Sequence, residues 1–293
     1  MSNTTVTTTS TTITTVSAKN ASRSRVVRMI DLHAHILPGL DDGAADWEEA
    51  VEMARLAVAS GTTGMFATPH WLEDEITPEP AKVQALLNEL RRRLAEAAIP
   101  LTVWPGMEVY LTPILPRLLR EGRLLTLNNQ KNHLLVELPL GEWPACAEQT
   151  LFELQVAGVT PVLAHPERSR AVIDDPTRLE KVVAQGALVQ VNAGSLTGQF
   201  GRRVQRCAEE MVKRGLVHFL GSDAHSCGQR GPSLAEAAER LERLLGRVAA
   251  EKITRLNAAN LLAGQSIESY RPHRRNYTAG NVWQRLKKWA TAR

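Results

Sequence analysis

The chain has 293 residues, 43% of them hydrophobic, enough to bury a sizeable core in one α/β barrel or in two smaller domains. Its net charge of +4 is uneven, with the bases at the two ends and most of the acids in the middle, so no nucleic-acid partner is indicated. Cys146, Cys207 and Cys227 are widely spaced with no CxxC pair, which argues against a disulfide framework or thiolate zinc site and for a reducing, cytoplasmic compartment.

Residues 1–27 are rich in Ser and Thr, lack the apolar core of a signal peptide, and are expected to form a disordered tail. The folded domain is expected over residues 28–265. It opens with the apolar run VVRMIDL, after which Asp46 can cap a helix that stops near Gly61. TGMFATP follows, and Thr77-Pro78 opens the next helix with proline at its first position. LTVWPGM, HLLVELP and TPVLAHP are the next runs, and Asp175-Pro176 begins a helix that stops near Gly186. ALVQVNAG and VHFLGSDAH complete the series, and Gly231-Pro232 opens a long helical stretch. Such continuous Val/Leu/Ile content suits parallel strands buried on both faces. Seven βα units in succession predict a (β/α) barrel, with an open sheet as the alternative.

Beyond Gly264 the pattern fades into a tail, residues 266–293, whose final stretch RPHRRNYTAGNVWQRLKKWATAR contains no acid. Val282, Trp283, Leu286 and Trp289 could line one face of a short basic helix suited to peripheral membrane contact, although a solvated tail is the simpler expectation. No apolar stretch approaches the roughly 20 residues that span a bilayer.

Active sites of parallel barrels lie at the C-terminal ends of the strands. There the runs deliver His33 and His35, His70, Glu108, Glu137, His165 and Arg168, and finally Asp223 and His225, with Asp41 or Asp42 from the first loop. Residues i and i+2 of an extended segment point to one side, so the HxH pair can reach one ion, and the DAH triplet has the same geometry. A nitrogen and oxygen set without thiolate suits Mn²⁺, Fe²⁺ or Zn²⁺. Nine candidate ligands are too many for one ion, so a cluster of two or three is expected. His133, His218 and His273 fall elsewhere and are expected to be structural or solvated.

HAH, TPH, HPER and SDAH together resemble the polymerase and histidinol phosphatase (PHP) superfamily. Within it, ILPGLDDGA, ATPHW, LLVELP, HPER, VNAGSLTGQFG and LGSDAH resemble the manganese-dependent bacterial tyrosine phosphatases of capsule and exopolysaccharide loci, over nearly all of residues 29–264. The resemblance implies a distorted (β/α)7 TIM-like barrel, the PHP fold, with three divalent ions, most readily Mn²⁺, at its mouth. It assigns His33, His35 and Asp223 to the first ion, Glu108 as a bridge, Glu137 and His165 to the second, and Asp42, His70 and His225 to the third. Asp42 is thereby chosen over Asp41, which with Asp31 becomes a supporting group. Arg168 and Arg230 are the implied phosphate-gripping pair, and the loops around Trp71 and Trp143 are left to shape substrate preference.

The implied activity is that of a phosphoric monoester hydrolase, a protein-tyrosine phosphatase working through metal-activated water. Its implied substrate is a bacterial tyrosine kinase that regulates polysaccharide export. A cysteine mechanism would need CxxxxxR, but the sixth residues after Cys146, Cys207 and Cys227 are Phe152, Lys213 and Ser233. The remaining alternatives are a PHP phosphoesterase acting on a small phosphomonoester such as histidinol phosphate, and a non-catalytic regulator that binds the kinase.

Overall fold

The computed structural model describes residues 28–269. The expected disordered stretch over residues 1–27, the amphipathic face at Val282, Trp283, Leu286 and Trp289, and His273 lie outside these residues. Nine strand segments run in chain order: β1 (Met29–Ala34), β2 (Thr62–Ala67), β3 (His70–Trp71), β4 (Thr102–Pro105), β5 (Glu108–Tyr110), β6 (His133–Glu137), β7 (Thr160–Ala164), β8 (Leu188–Asn192) and β9 (Phe219–Gly221). They occupy the seven expected positions, because the second run is broken into β2 and β3 and the third into β4 and β5. Pairing is parallel throughout, in the orders β1-β2-β4 and β3-β5-β6-β7-β8-β9. The first strand also meets the chain beyond the last: Asp223 N–H donates to His33 O and His35 N–H to Ala224 O, each at 2.8 Å. The result is the distorted, interrupted (β/α)7 arrangement.

Alternation along the strands sorts the core into two parts. Leu134 and Val136, Leu163, and Val189 and Val191 face the helices in a large outer cluster. Leu135, Val162, Leu188, Phe66 and Phe219 face inward with Ile30 and Leu32, and Ala258 and Leu261 of the last helix close that inner cluster. The inner face is therefore apolar at the strand starts, and it turns polar at the strand ends.

Several helices begin where local chemistry dictates. Asp46 caps the helix Trp47–Ala59, its Oδ1 accepting from Glu49 N–H at 2.9 Å, and Gly61 follows at φ +96°. The next helix opens at Pro80 rather than Pro78. Glu79, which precedes a proline, is held extended at φ −68° and ψ 138°, so the helix cannot include it. Thr177–Ala184 begins directly after Pro176, and Gly186 takes φ +104° beyond its end. The long helix after the seventh run starts only at Ala235. Before it the chain doubles back, with Arg230 O accepting from both His225 N–H and Ser226 N–H. At the other end, Ile267 packs on the inner cluster, and Glu268 pairs with Lys252 at 2.9 Å. No helix among the described residues is long and apolar enough to cross a membrane.

Candidate active site

The face presented by β1 is set by one extra residue. Asp31 pairs with Met65 but Ala34 with Ala67, three steps on one strand against two on the other. This bulge reverses the alternation after Leu32, so Ala34 joins the outer cluster while His33 and His35 turn inward above Ile30 and Leu32. Asp31 Oδ1 holds the bulge by accepting from His33 N–H at 3.1 Å and Ser222 N–H at 2.8 Å. Burial raises its carboxyl to about 6 against those hydrogen bonds.

The loop after β1 returns two aspartates. Asp41 Oδ2 accepts from His35 Nδ1 at 2.7 Å and His70 N–H at 2.8 Å, and Oδ1 accepts from Gly43 N–H at 3.0 Å. A side chain at Gly43 would strike His35 O, which explains the glycine. With Asp41 committed in this way, Asp42 is the one left facing the mouth. Its Oδ1 lies 3.2 Å from His225 Nε2 and 3.7 Å from His70 Nε2, and the neighbouring His225 holds it well below the usual carboxylate range.

Glu108 sits at the centre. Oε2 lies 3.1 Å from His33 Nε2, 3.2 Å from His35 Nε2 and 3.1 Å from His70 Nδ1. None of these approaches has hydrogen-bond geometry, so Oε2 is a buried acceptor without a hydrogen-bond partner. Oε1 meets His165 Nε2 at 2.9 Å, and Glu137 Oε1 lies 3.8 Å from the same nitrogen. Burial would raise Glu108, but the surrounding imidazoles of His33, His165 and His35 hold it well below its ordinary range. Glu137 is instead pushed up to about 7, by burial and then by the charge of Glu108.

His165 and Asp223 both take left-handed backbone, at φ +30° and +54°, which non-glycine residues adopt at a cost and which clusters at functional sites. His165 cannot continue helically because Pro166 follows it. Asp223 Oδ1 lies 3.5 Å from His33 Nε2 and 3.5 Å from His35 Nε2. Its Oδ2 accepts from Arg168 Nη1 at 2.7 Å and Arg230 Nη2 at 3.0 Å.

The ligand atoms fall into three overlapping groups, each within 4.8 Å: His33, His35, Glu108 and Asp223; His70, Glu108 and Glu137; and His35, Asp42, His70 and His225. His165 stands beside the second group rather than within it. These residues fit divalent ions on the chemistry of the set: nitrogen and oxygen donors converge, and Glu108 Oε2 and His225 Nε2 lack proton partners. The clustered carboxylates also favour protonation of the imidazoles between them. Burial opposes this, yet Glu108 hydrogen bonding lifts His165 to about 9, and Asp223, Asp41 and Glu108 lift His35 well above its ordinary range.

Of the histidines expected elsewhere, His133 starts β6 and His218 is buried beside β9, both lowered to about 4 by burial. Cys227 is spent on the helix below, its Sγ donating to Glu49 O at 3.6 Å. Three residues at the site lie outside the expected set. Gln190 and Asn192 of β8 are fully buried among the ligands, and Phe200 lies under the Arg168 guanidinium. The sequence signal for the first two was present: polar residues at i and i+2 within an apolar run share one face.

The chain is similar to known proteins over most of its length. Residues 29–263 match the family described as "Capsular polysaccharide synthesis, CpsB/CapC". The chain is 40% identical to the tyrosine-protein phosphatase YwqE of Bacillus subtilis over 239 residues, covering 82% of this chain and 93% of that protein. It is 28% identical to the tyrosine-protein phosphatase CpsB of Streptococcus agalactiae over 248 residues, 82% of this chain and all of that one. A crystal structure from work on YwqE of Bacillus subtilis and CpsB of Streptococcus pneumoniae, described as metal-dependent tyrosine phosphatases, matches with a TM-score of 0.79 at 39% identity, covering 83% of this chain and 98% of that one.

Proposed function

The chain belongs to the CpsB/CapC family of capsular polysaccharide synthesis proteins, and from that premise we propose that it is a metal-dependent protein-tyrosine phosphatase. The observation that carries the proposal is Glu108 Oε2, a buried carboxylate oxygen ringed by three imidazole nitrogens at 3.1–3.2 Å with no hydrogen bond to any of them. His33, His35, Asp223 and Glu108 would hold one ion; Glu108, Glu137 and His165 a second; Asp42, His70 and His225 a third. Mn²⁺ is the proposed metal, with Fe²⁺ or Zn²⁺ compatible with the same donors. Ions bound there would supply water of lowered pKa and positive charge at the phosphoryl oxygens.

The remaining work belongs to the chain's own residues. Arg168 and Arg230 would take phosphoryl oxygens in planar, charge-assisted hydrogen bonds, both guanidinium groups already converging on Asp223 Oδ2. Asp41 orients His35 through Nδ1 and fixes the His70 backbone at the same time. Burial of Glu108, His33 and His35 keeps bulk water from weakening these interactions. The proposed substrate is a phosphotyrosine protein of the polysaccharide machinery, its kinase above all, met in the cytoplasm.

The test is release of phosphate from a phosphotyrosine peptide with Mn²⁺ supplied, compared with histidinol phosphate and repeated with chelator. Release confined to the peptide and abolished by chelator is the expected result. Preference for histidinol phosphate would make the chain a small-molecule phosphatase, and no release from either would make it a binding regulator.

A further inference from the structure

β8 supplies no ligand candidate, yet its two polar side chains are among the most buried groups of the mouth. Gln190 Oε1 lies 3.2 Å from the backbone nitrogen of His165 and 3.1 Å from His33 Nδ1. A backbone N–H can only donate, so the amide must present its oxygen there and not its nitrogen. That oxygen in turn requires the ring proton of His33 to sit on Nδ1. Gln190 Nε2 then donates to Asn192 Oδ1 at 2.9 Å, and Asn192 Nδ2 donates to Asp223 Oδ2 at 2.8 Å. Every link points the same way, and each end is fixed independently, by an obligate donor at His165 and by a carboxylate at Asp223.

Space for the chain of amides is kept by Gly221. A Cβ there would lie 2.7 Å from Gln190 Nε2 and 2.8 Å from His33 Cβ, so any side chain would displace the amide or the imidazole. Asn192 is pinned from its other side as well, since its backbone N–H donates to Glu167 Oε1 at 2.9 Å.

We propose that Gln190 and Asn192 are positioning residues that form a one-way amide relay. The relay sets the His33 tautomer at one end and joins Arg168 and Arg230 on Oδ2 of Asp223 at the other, leaving His33 Nε2 and Asp223 Oδ1 to the same ion. This rests on His33 and Asp223 being ligands of one ion, as proposed above. The two atoms left free lie 3.5 Å apart. Without the relay, His33 is free to carry its proton on Nε2, aimed at His35 Nε2 3.0 Å away, and the ligand becomes a donor.

Three measurements on the full chain test it. In metal-free wild-type protein, long-range ¹H–¹⁵N correlation should find His33 protonated on Nδ1. The substitution Gln190→Met, of similar size, should bring in the Nε2-protonated form and lower Mn²⁺ affinity by roughly 10- to 100-fold in calorimetric titration. Gln190→Glu keeps an acceptor for His33 and His165 and should restore the tautomer and part of the affinity. Wild-type His33 protonated on Nε2 would overturn the relay whether or not the variants fold. Folded Gln190→Met that binds Mn²⁺ as tightly as wild type would overturn it too. A wild-type chain that binds no divalent ion would instead remove the ligand assignment, and the relay with it.

Discussion

Arg168 lies over the face of Phe200, its guanidinium carbon 4.6 Å from the ring centroid, while Nη1 reaches Asp223 Oδ2 at 2.7 Å. The ring fixes the plane of the guanidinium and leaves its outer edge free for an anion. Gln199, next to Phe200, donates to Gln229 O at 2.6 Å, so the loop that supports Arg168 is tied to the loop that carries Arg230.

Replacing Arg168 by lysine removes the planar fork and should lower kcat/KM for a phosphotyrosine peptide by roughly 10- to 1,000-fold, as loss of a preorganised donor does. Phe200→Leu keeps the apolar support but loses the aromatic face. Its cost should be about 0.5–1 kcal/mol, a drop of roughly 2- to 5-fold. Equal kinetics for wild type and Arg168→Lys would take Arg168 out of the substrate site.

Asp41→Asn should weaken Mn²⁺ binding by roughly 10- to 100-fold while leaving the fold intact. The carboxylate accepts three N–H groups, and an amide must turn a donor toward one of them. Titration of the metal-free variant reads the effect directly, and wild-type affinity would show that His35 needs no such partner.

Chelation should destabilise the protein. Ions that bind only the folded chain stabilise it by about 2.7 kcal/mol at a hundredfold excess over Kd. For a domain of this size that corresponds to a fall in Tm of roughly 5–10 °C when they are withdrawn. Scanning calorimetry with EDTA, and then with excess Mn²⁺, measures the difference; coincident transitions would deny a folded-state metal cluster.

His218 should make the chelated chain acid-sensitive. The buried ring accepts from Val189 N–H on Nδ1 at 3.1 Å, and burial lowers it to about 4 from the ordinary 6.5. Protonation therefore favours the unfolded chain. Stability is complete above about pH 6.5 and declines as pH falls towards 4, by at most about 3 kcal/mol from this group. His218→Asn retains an acceptor near Nδ1 without titrating, so it should make denaturant midpoints fall less steeply across that window, the remainder belonging to groups such as His133. Parallel pH profiles for variant and wild type would assign the acid loss elsewhere.

The site was legible because its chemistry is written at strand ends, where His33, His35, His70, Glu108, Glu137 and Asp223 each follow an apolar run. What the runs did not disclose was which face those ends present. The bulge between Asp31 and Ala34 depends on pairing with β2, a contact that local spacing does not encode. Nor did composition reveal that the second and third runs each break in two. Pro78 misled because two prolines stood close together, and only the restriction that the second places on Glu79 decides between them. Gln190 and Asn192 were hidden for a different reason: neither is a ligand type, and their role exists only once β1, β7 and β9 surround them.

The breaks after Ala67 and Pro105 divide the strands into a foundation and a separate upper tier. Below them, Gly64 to Ala67 pair with Thr102 to Pro105 in one sheet; above them, His70 pairs with Glu108 in the other. His70 and Glu108 are therefore held in register with each other, above the connections Thr68-Pro69 and Gly106-Met107. Thr68 and Met107 are fully buried, and Thr68 Oγ1 accepts from Ala34 N–H at 3.1 Å, so the connections that space the candidate ligands are fastened to β1 and to the core.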